Sequence, residues 1–354
     1  MSRDIKIGLI GAGNIGSVHL DVFQHVDGAS IAAITDAYLP LAEQRGAEYQ
    51  LRVHQSVEGL LNDESLDAVI IGVPNKFHAP LAVQALQAGK HVLLEKPMGL
   101  NAEAAKEIVR AERTSGKVLM IAHQMRWQSN SIEVKKQIEK GALGHIYSAK
   151  TGWFRRKGIP GWGTWFTQKN ESGGGPLIDI GVHMLDLALY LMGNPKPVSV
   201  FGSTYAEFGP KKKGIGTWGT PNWDGIFDVE DLATALIKME DGSSLTLDVS
   251  WAVHMDTSNE PFVHLMGSEG GASIQGNSAK LLTELYDRAV DIPVAEPKDD
   301  EGERVRLSRH FVECVRNGTP PITSAMTGLA NNLVLDAIFE SSETGLEVVL
   351  DWEL

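Results

Sequence analysis

The chain has 354 residues, of which 43% are hydrophobic and 22% are charged, and this composition is typical of a globular protein and not of a disordered one. The formal net charge of −13, from 32 basic and 45 acidic residues, argues against nucleic acid or a membrane surface as the partner, because both are bound through clustered cations. The length predicts two domains, which we expect to act on a small molecule.

Cysteine usage and hydropathy indicate the compartment in which the protein works. The single cysteine, Cys314, excludes an intrachain disulfide and a thiolate metal cluster, and its apolar neighbours predict a position in the core. We expect no metal site. Because no apolar run approaches the roughly 20 residues that span a bilayer, and no secretion signal is recognised, a cytoplasmic location is expected.

Short apolar runs alternate with amphipathic segments over the first ~120 residues. The apolar runs are typical of parallel strands buried on both faces, and they lie at Ile5–Ile10, Ser30–Thr35, Ala68–Val73, His91–Glu95 and Val118–Ala122. Helical spacing predicts the intervening helices Ile15–His25, Leu39–Tyr49, Pro80–Ala88 and Ala102–Ser115, the last with Asn101 as its N-cap. This alternation predicts an α/β domain, residues 1–123, with the doubly wound parallel sheet of a Rossmann dinucleotide-binding fold.

The pattern changes after residue 123 to longer runs with a period of two, which is typical of antiparallel strands. A helix at Ser129–Lys140 precedes the predicted strands His145–Arg156, Val198–Glu207, Asp231–Glu240, Ser243–Val253 and Phe262–Met266. Asp241-Gly242 is a hairpin signal between two of them, and the chain closes with predicted helices at Arg306–Asn317 and Ala325–Ser342. Residues 124–354 are therefore assigned to an α+β domain on a mostly antiparallel open sheet, whose last helix is expected to pack back on the first domain.

A glycine turn, Gly11-Ala12-Gly13-Asn14-Ile15-Gly16, lies between the first predicted strand and the first helix. In that setting the glycines allow a tight turn, close approach of a pyrophosphate and close helix packing, and the new helix offers free N–H groups to the phosphates. Asp36 ends the second strand twenty residues beyond Gly16, where a carboxylate accepts hydrogen bonds from the ribose hydroxyls and repels a 2′-phosphate. The segment predicts NAD binding in preference to NADP.

Three further segments follow the glycine turn in order: Pro74-Asn75-Lys76-Phe77-His78, Glu95-Lys96-Pro97 and Asp179-Ile180-Gly181-Val182-His183. Together with the turn they resemble the motifs of the glucose–fructose oxidoreductase/inositol dehydrogenase (Gfo/Idh/MocA) family. The resemblance extends over nearly the whole chain. It implies a cis Lys96–Pro97 bond, assembly as a homodimer or homotetramer through the C-terminal sheet, and oxidation of a sugar, inositol or related polyol.

The same residues indicate a site on chemical grounds. Lys96 ends a predicted parallel strand, where open α/β sheets bind ligands. Asp179 and His183 have i,i+4 spacing on a helix that is apolar nearly all round, and ionisable groups buried there must be paired or functional. By analogy with the family, His183 is the general base, Lys96 polarises the reacting oxygen and Asp179 orients both. A structural ion pair is the alternative for Asp179 and His183.

The resemblance and the motifs together mark the residues expected to contact NAD. These are Gly11, Gly13, Asn14, Ile15, Gly16, Asp36, Pro74, Asn75, His78, Glu95 and Lys96. A structural hydrogen bond is an equal alternative for His78. Candidate substrate contacts, besides Asp179 and His183, are His123, Arg126, Trp153, Arg155, Arg156, Trp162 and Trp165. The tryptophans could stack on sugar rings and the arginines could hold hydroxyls or a carboxylate, or both sets could serve the core and an interface instead.

Two glycine-rich segments and the type of reaction stay open. Amides of Gly173–Gly175 could face a ligand or belong to a plain connector, and residues 207–229 could be a lid, an assembly arm or disordered. The leading function is an NAD-dependent dehydrogenase. The alternatives are a lyase, hydrolase or epimerase that retains NAD through transient oxidation, and a non-enzymatic NAD or sugar sensor.

Overall fold

The computed structural model describes residues 3–295 and 301–354. The first part of the chain alternates strands and helices. Its strands are β1 (Ile5–Ile10), β2 (Ala29–Thr35), β3 (Arg52–Val53), β4 (Ala68–Ile71), β5 (His91–Leu94) and β6 (Leu119–Ile121). Its helices are α1 (Asn14–Phe23), α2 (Leu39–Tyr49), α3 (Val57–Leu61), α4 (His78–Gln87) and α5 (Ala102–Ser115). The side chain of Asn101 accepts a hydrogen bond from the amide of Ala104, which confirms the predicted N-cap of α5.

The rest of the chain is built mainly from long strands. Its helices are α6 (Ser129–Glu139), α7 (Lys169–Ser172), α8 (Val182–Leu191), α9 (Glu303–Asn317) and α10 (Ala325–Thr344). Its strands are β7 (Ile146–Phe154), β8 (Pro197–Tyr205), β9 (Leu232–Met239), β10 (Ser244–Ser250), β11 (Pro261–Gly267), β12 (Gly271–Gln275), β13 (Ser278–Leu285), β14 (Arg288–Pro293) and β15 (Val348–Val349). The hairpin predicted at Asp241-Gly242 joins β9 to β10, with Gly242 at a φ of 87°.

The chain folds into two compact units. Unit 1 consists of Met1–Gln124, Asp300–Leu329 and Leu354, and unit 2 of Met125–Asp299 and Ala330–Glu353. The predicted second domain runs without interruption from 124 to 354, so the structure differs by grouping α9 and the start of α10 with unit 1. The side chain of Arg316 in α9 donates to the carbonyl oxygen of Gly28, which is one interaction that joins this segment to the loop before β2.

Unit 1 contains the expected Rossmann fold. Its six strands are parallel, in the order β3-β2-β1-β4-β5-β6, and the apolar side chains of β4 and β5 are buried on both faces. The strand order reverses between β1 and β4. Because open α/β sheets bind ligands beyond the carboxyl ends of the strands at this switch point, the glycine turn after β1 stands where a dinucleotide is expected.

Unit 2 is built on a nine-stranded sheet in the order β14-β13-β12-β11-β7-β10-β9-β8-β15. All neighbours are antiparallel except β7 and β10, which confirms the mostly antiparallel sheet. Helix α8 is almost completely buried in the hydrophobic core of this unit. Lys169–Leu191 is long and apolar enough to cross a membrane, but 89% of its most apolar window is buried within the protein, as in a core helix.

One face of this sheet carries apolar side chains that stay exposed. Phe201 on β8 is 51% exposed and pairs with Leu236 on β9, which is 42% exposed. The predicted homodimer or homotetramer through the C-terminal sheet stays a prediction. Strands β12, β13 and β14 are absent from the sequence-based expectation, because β12 has only five residues and β13 and β14 contain no buried residue.

Candidate functional site

The glycine turn has the conformation that a dinucleotide site requires. Gly11 has a φ of 105°, and a Cβ on Gly11 or on Gly16 would overlap backbone atoms of Gly72 or of Gly11. A Cβ on Gly13 would meet no atom within 4 Å, so the backbone before Asn14 and Ile15 faces open space at the start of α1. Free N–H groups at a helix start with no side chain in front of them fit a pyrophosphate.

Asp36 follows β2 and is tied to the glycine turn. Its Oδ2 accepts a hydrogen bond of 2.7 Å from the amide of Ala12, and its Oδ1 accepts one of 2.7 Å from the amide of Tyr38. The carboxylate is half-buried, and each oxygen keeps a further lone pair. Asp36 is therefore oriented by the backbone in a position to accept ribose hydroxyls, and the two residues after it, Ala37 and Tyr38, carry no cation for a 2′-phosphate.

Glu95 was expected to contact the cofactor, but the structure places it inside unit 1. It is 5% exposed, and its Oε1 lies 2.9 Å from Nε2 of His19 and 3.4 Å from Nη1 of Arg304. Burial raises the pKa of Glu95, but the hydrogen bond and charge of His19 and the charge of Arg304 outweigh it and lower the pKa to about 2. Glu95 is an internal anion that joins α1 and α9 to the end of β5.

His78 is also an internal residue, and the structural alternative for it is the one observed. It is 1% exposed, and its Nδ1 and Nε2 lie 2.6 Å and 2.9 Å from the carbonyl oxygens of Pro97 and Val73. Burial lowers the pKa of His78 against the opposing effect of these two contacts. His78 thus connects the chain after β4 to the chain after β5 and holds Pro97, the neighbour of Lys96.

Lys96 and the remaining predicted contacts of unit 1 lie at the carboxyl ends of the strands. Lys96 is half-buried directly after β5, and the Lys96–Pro97 bond is cis, as the family resemblance implies. Pro74 and Asn75 follow β4, with Asn75 9% exposed, and His123, 1% exposed, follows β6. These positions agree with the strand ends from which an open α/β sheet builds its ligand site.

Asp179 and His183 lie on one continuous helical segment of unit 2. Leu177–Gly181 forms a π-helical turn that leads directly into α8, and such turns occur frequently at functional sites. Asp179 is half-buried, and its Oδ2 accepts a hydrogen bond of 3.0 Å from Nε1 of the fully buried Trp251. His183 is 7% exposed. Within residues 3–295 and 301–354, no group of three or more His, Cys, Asp or Glu residues is arranged to hold a metal ion.

Glu230 holds the start of this segment. It is 6% exposed, its Oε1 and Oε2 both lie 2.9 Å from the amide of Gly175, and Oε1 accepts a hydrogen bond of 3.0 Å from the amide of Leu177. The amide of Gly175 therefore serves a side chain of the protein and not a ligand. Burial, opposed by these amides, raises the pKa of Glu230 to about 7. No local signal marks Glu230, because its partner Gly175 lies 55 positions away.

Arg126 was expected in the substrate pocket, but the structure assigns it to the core of unit 2. Its Nε and Nη2 donate hydrogen bonds of 2.6 Å to the two carboxylate oxygens of Asp186 on α8. Arg126 is 3% exposed and Asp186 1% exposed, and Asn331 of α10 also donates to Asp186. The pair connects the chain before α6 to the helix that carries His183.

The tryptophans expected to bind substrate differ in their surroundings. Trp162 is 4% exposed, its ring stacks near Trp223 and Phe227, and its Nε1 donates to the carbonyl oxygen of Gly209. It is a core residue and not an open platform for a sugar. Trp165 is half-buried against Phe166.

Trp153 and the arginines after it stand at the end of β7. Trp153 is half-buried, and the guanidinium of Arg155 lies 4.3 Å from the centre of its ring. Burial lowers the pKa of Arg155, whereas the negative charge of Asp179 opposes this change. Arg156 is exposed. Of the predicted aromatic and arginine contacts, Trp153 and Arg155 thus lie together at the end of β7, and the charge of Asp179 acts on Arg155.

The long segment 207–229 is ordered by backbone hydrogen bonds to the chain after β7. The amide of Gly161 donates to the carbonyl oxygen of Trp218, and the amide of Asn222 donates to that of Trp162. Asp231 secures the start of the segment by accepting hydrogen bonds from the amides of Phe208 and Gly209. The disordered alternative for 207–229 is therefore wrong.

Comparison with known proteins identifies both parts of the chain. Residues 5–123 match the family model described as "Oxidoreductase family, NAD-binding Rossmann fold", and residues 131–273 match the GFO/IDH/MocA C-terminal domain. The D-glucoside 3-dehydrogenase of Escherichia coli K12 is 31% identical over 99% of this chain and 98% of its own length. The NADP(+)-dependent scyllo-inositol 2-dehydrogenase IolW of Bacillus subtilis 168 is 31% identical over 55% of this chain and 54% of its own length.

A solved structure shares the whole fold. Levoglucosan dehydrogenase in complex with NADH and levoglucosan superposes with a TM-score of 0.87 at 23% identity, covering 98% of this chain and 100% of that one. At this identity the likeness concerns the fold.

Proposed function

We propose that the chain, which belongs to the Gfo/Idh/MocA oxidoreductase family, is an NAD-dependent dehydrogenase that oxidises a secondary alcohol of a sugar, inositol or related polyol. The observation that carries the proposal is that the chain contains both a dinucleotide turn and a buried helix start with an acid and a histidine. In the turn, Gly13 faces open space and Asp36 is oriented by backbone amides, and the helix start carries Asp179 and His183. The D-glucoside and inositol dehydrogenases among the relatives support the substrate class.

The reaction separates a hydride from a proton. NAD, when bound, would supply the hydride acceptor, and the protein must take the hydroxyl proton and stabilise the charge that develops on oxygen. His183 takes the proton as a neutral imidazole, and Lys96 donates a hydrogen bond to the reacting oxygen. Asp179, whose carboxylate is oriented by Trp251, positions and charge-balances these two groups. The glycine turn and Asp36 hold the dinucleotide.

Turnover of a defined panel tests the proposal. Purified protein is incubated with methyl β-D-glucoside, levoglucosan, scyllo-inositol and myo-inositol, each with NAD or NADP, and the absorbance of the reduced nicotinamide is followed. We expect NAD reduction with at least one of these alcohols. Tight NAD binding without any net reduction would contradict the dehydrogenase and favour the NAD-retaining enzymes or the sensor. Formation of a product of elimination, hydrolysis or epimerisation would then indicate an NAD-retaining enzyme, and its absence would indicate a sensor.

Asp36 is expected to set the cofactor preference. In the Asp36→Ser variant, the ratio of kcat/KM with NAD to kcat/KM with NADP should fall by about 10- to 100-fold, because a charged acceptor for the ribose hydroxyls is lost and a 2′-phosphate is no longer repelled. Initial rates with both cofactors at a fixed alcohol concentration measure the ratio. Asp27→Ser, at an exposed acidic position of unit 1, is the matched control. A wild-type protein that prefers NADP would contradict this assignment.

A further inference from the structure

Arg155 occupies a built position at the end of β7. It is the first residue after β7, and its amide donates a hydrogen bond of 2.9 Å to the carbonyl oxygen of Ser250 on the neighbouring strand. The aliphatic part of its side chain lies so close to Gly158 that a Cβ on that glycine would approach Cδ of Arg155 to 2.7 Å. The guanidinium lies 4.3 Å from the centre of the Trp153 ring, on the same side of the strand two residues earlier.

The guanidinium has donors that the protein does not use. Across residues 3–295 and 301–354, its side chain takes part in no hydrogen bond and no ion pair, and the ring of Trp153 is its direct contact. A guanidinium carries five N–H donors, and leaving them without acceptors in a desolvated position costs free energy. The side chain is half-buried, and this burial lowers the pKa of Arg155 against the opposing charge of Asp179. A ligand that supplies oxygen acceptors would satisfy these donors.

We propose that Arg155 is a substrate-binding residue that donates to two neighbouring hydroxyl oxygens of a neutral cyclic sugar, whose ring lies against Trp153. The proposal rests on the function proposed above and narrows its substrate class. A guanidinium presents two parallel N–H groups, and two adjacent ring hydroxyls present oxygens at a matching spacing. Trp153 adds an apolar ring surface of the kind that packs against the C–H groups of a sugar.

Charge decides between hydroxyls and a carboxylate, the two ligands considered for this arginine. The negative charge of Asp179, in the same unit, acts on Arg155 and opposes the fall in its pKa. A carboxylate on the substrate would gain the attraction of Arg155 and meet the repulsion of Asp179, whereas a hydroxyl donates to one group and accepts from the other. The arrangement therefore favours a neutral polyhydroxyl substrate over a sugar acid.

The experiment compares the wild type, Arg155→Met and the control Lys150→Met, at an exposed position of the same strand β7. The probes are the panel sugar with the highest kcat/KM, two deoxy analogues of it, and D-glucuronate. One analogue lacks the hydroxyl on the carbon next to the reacting carbon, and the other lacks the hydroxyl one carbon further along the ring. We expect Arg155→Met to raise KM for the sugar by about 10- to 100-fold with kcat within about threefold, and Lys150→Met to leave both unchanged. The wild type should lose about 10-fold or more in kcat/KM on one deoxy analogue, and Arg155→Met should no longer distinguish this analogue from the parent sugar.

Each outcome has a defined meaning. A deoxy penalty that disappears in Arg155→Met supports direct contact, because a merely structural loss would lower the rates on both sugars equally. A wild-type preference for D-glucuronate, or a KM for the neutral sugar that Arg155→Met leaves unchanged, would overturn the proposal while the dehydrogenase function stands. Absence of turnover by the wild type with every alcohol is a failure of the proposed function itself, and thus of this inference with it.

Discussion

Replacing His183 by Asn will lower kcat by about 10²- to 10⁴-fold and leave the affinity for NAD within about threefold of wild type. General base catalysis contributes a factor of this size, and Asn cannot accept the hydroxyl proton. His183 belongs to α8 of unit 2 and the glycine turn to unit 1, so the substitution leaves the dinucleotide turn itself unchanged and NAD binding should persist. Steady-state kinetics with the best panel alcohol and fluorescence titration with NAD measure the two quantities, and His145→Asn, at an exposed position of unit 2, is the control.

The pH profile distinguishes a base from a binding residue. In the wild type, kcat/KM should rise with pH to a plateau, because a general base acts only in its unprotonated form. This limb should disappear in His183→Asn and persist at a reduced rate in Lys96→Met, where a hydrogen-bond donor to the reacting oxygen is lost. An unchanged acid limb in His183→Asn, or full activity of Lys96→Met, would contradict the assigned roles.

Replacing Arg126 by Met will destabilise the protein by about 3–5 kcal/mol, the range measured when one partner of a buried ion pair is removed. The carboxylate of Asp186, 1% exposed, would lose both of its 2.6 Å hydrogen bonds to the guanidinium and remain as a buried anion. Urea unfolding followed by tryptophan fluorescence measures the loss through the transition midpoint. Lys136→Met is the matched control, because Lys136 forms an exposed ion pair with Glu133 and such pairs contribute about 0–1 kcal/mol.

The double variant Arg126→Met/Asp186→Leu identifies the origin of that loss. If an uncompensated buried charge is responsible, removing the carboxylate as well should recover more than half of the stability, since apolar replacements of buried pairs are often neutral. Equal losses in the single and double variants would contradict the ion-pair argument. Arg126 would then contribute through packing alone, in part against the ring of Tyr190, whose centre lies 4.8 Å from the guanidinium carbon.

Local patterns in the sequence were sufficient for the architecture. The alternation of apolar and amphipathic segments predicted five of the strands of the Rossmann sheet, and the period-two runs after residue 123 predicted β7 to β11 to within a few residues. Strands β13 and β14 lack this signal because they contain no buried residue, and β3 and β12, with two and five residues, are too short to show it. The grouping of residues 300–329 with unit 1 also has no local signal.

Spacing along the chain was enough to predict the Rossmann fold, the mostly antiparallel sheet, the glycine turn and the helix with Asp179 and His183, because each depends on residues within one or two elements. The tertiary structure alone decided which polar residues are internal. Arg126 pairs with Asp186 across 60 positions and His19 with Glu95 across 76, and each pair satisfies charges that would otherwise be buried alone. Hydrophobic periodicity reports which face of an element is buried, but the partner of a buried charge is chosen by distance in space.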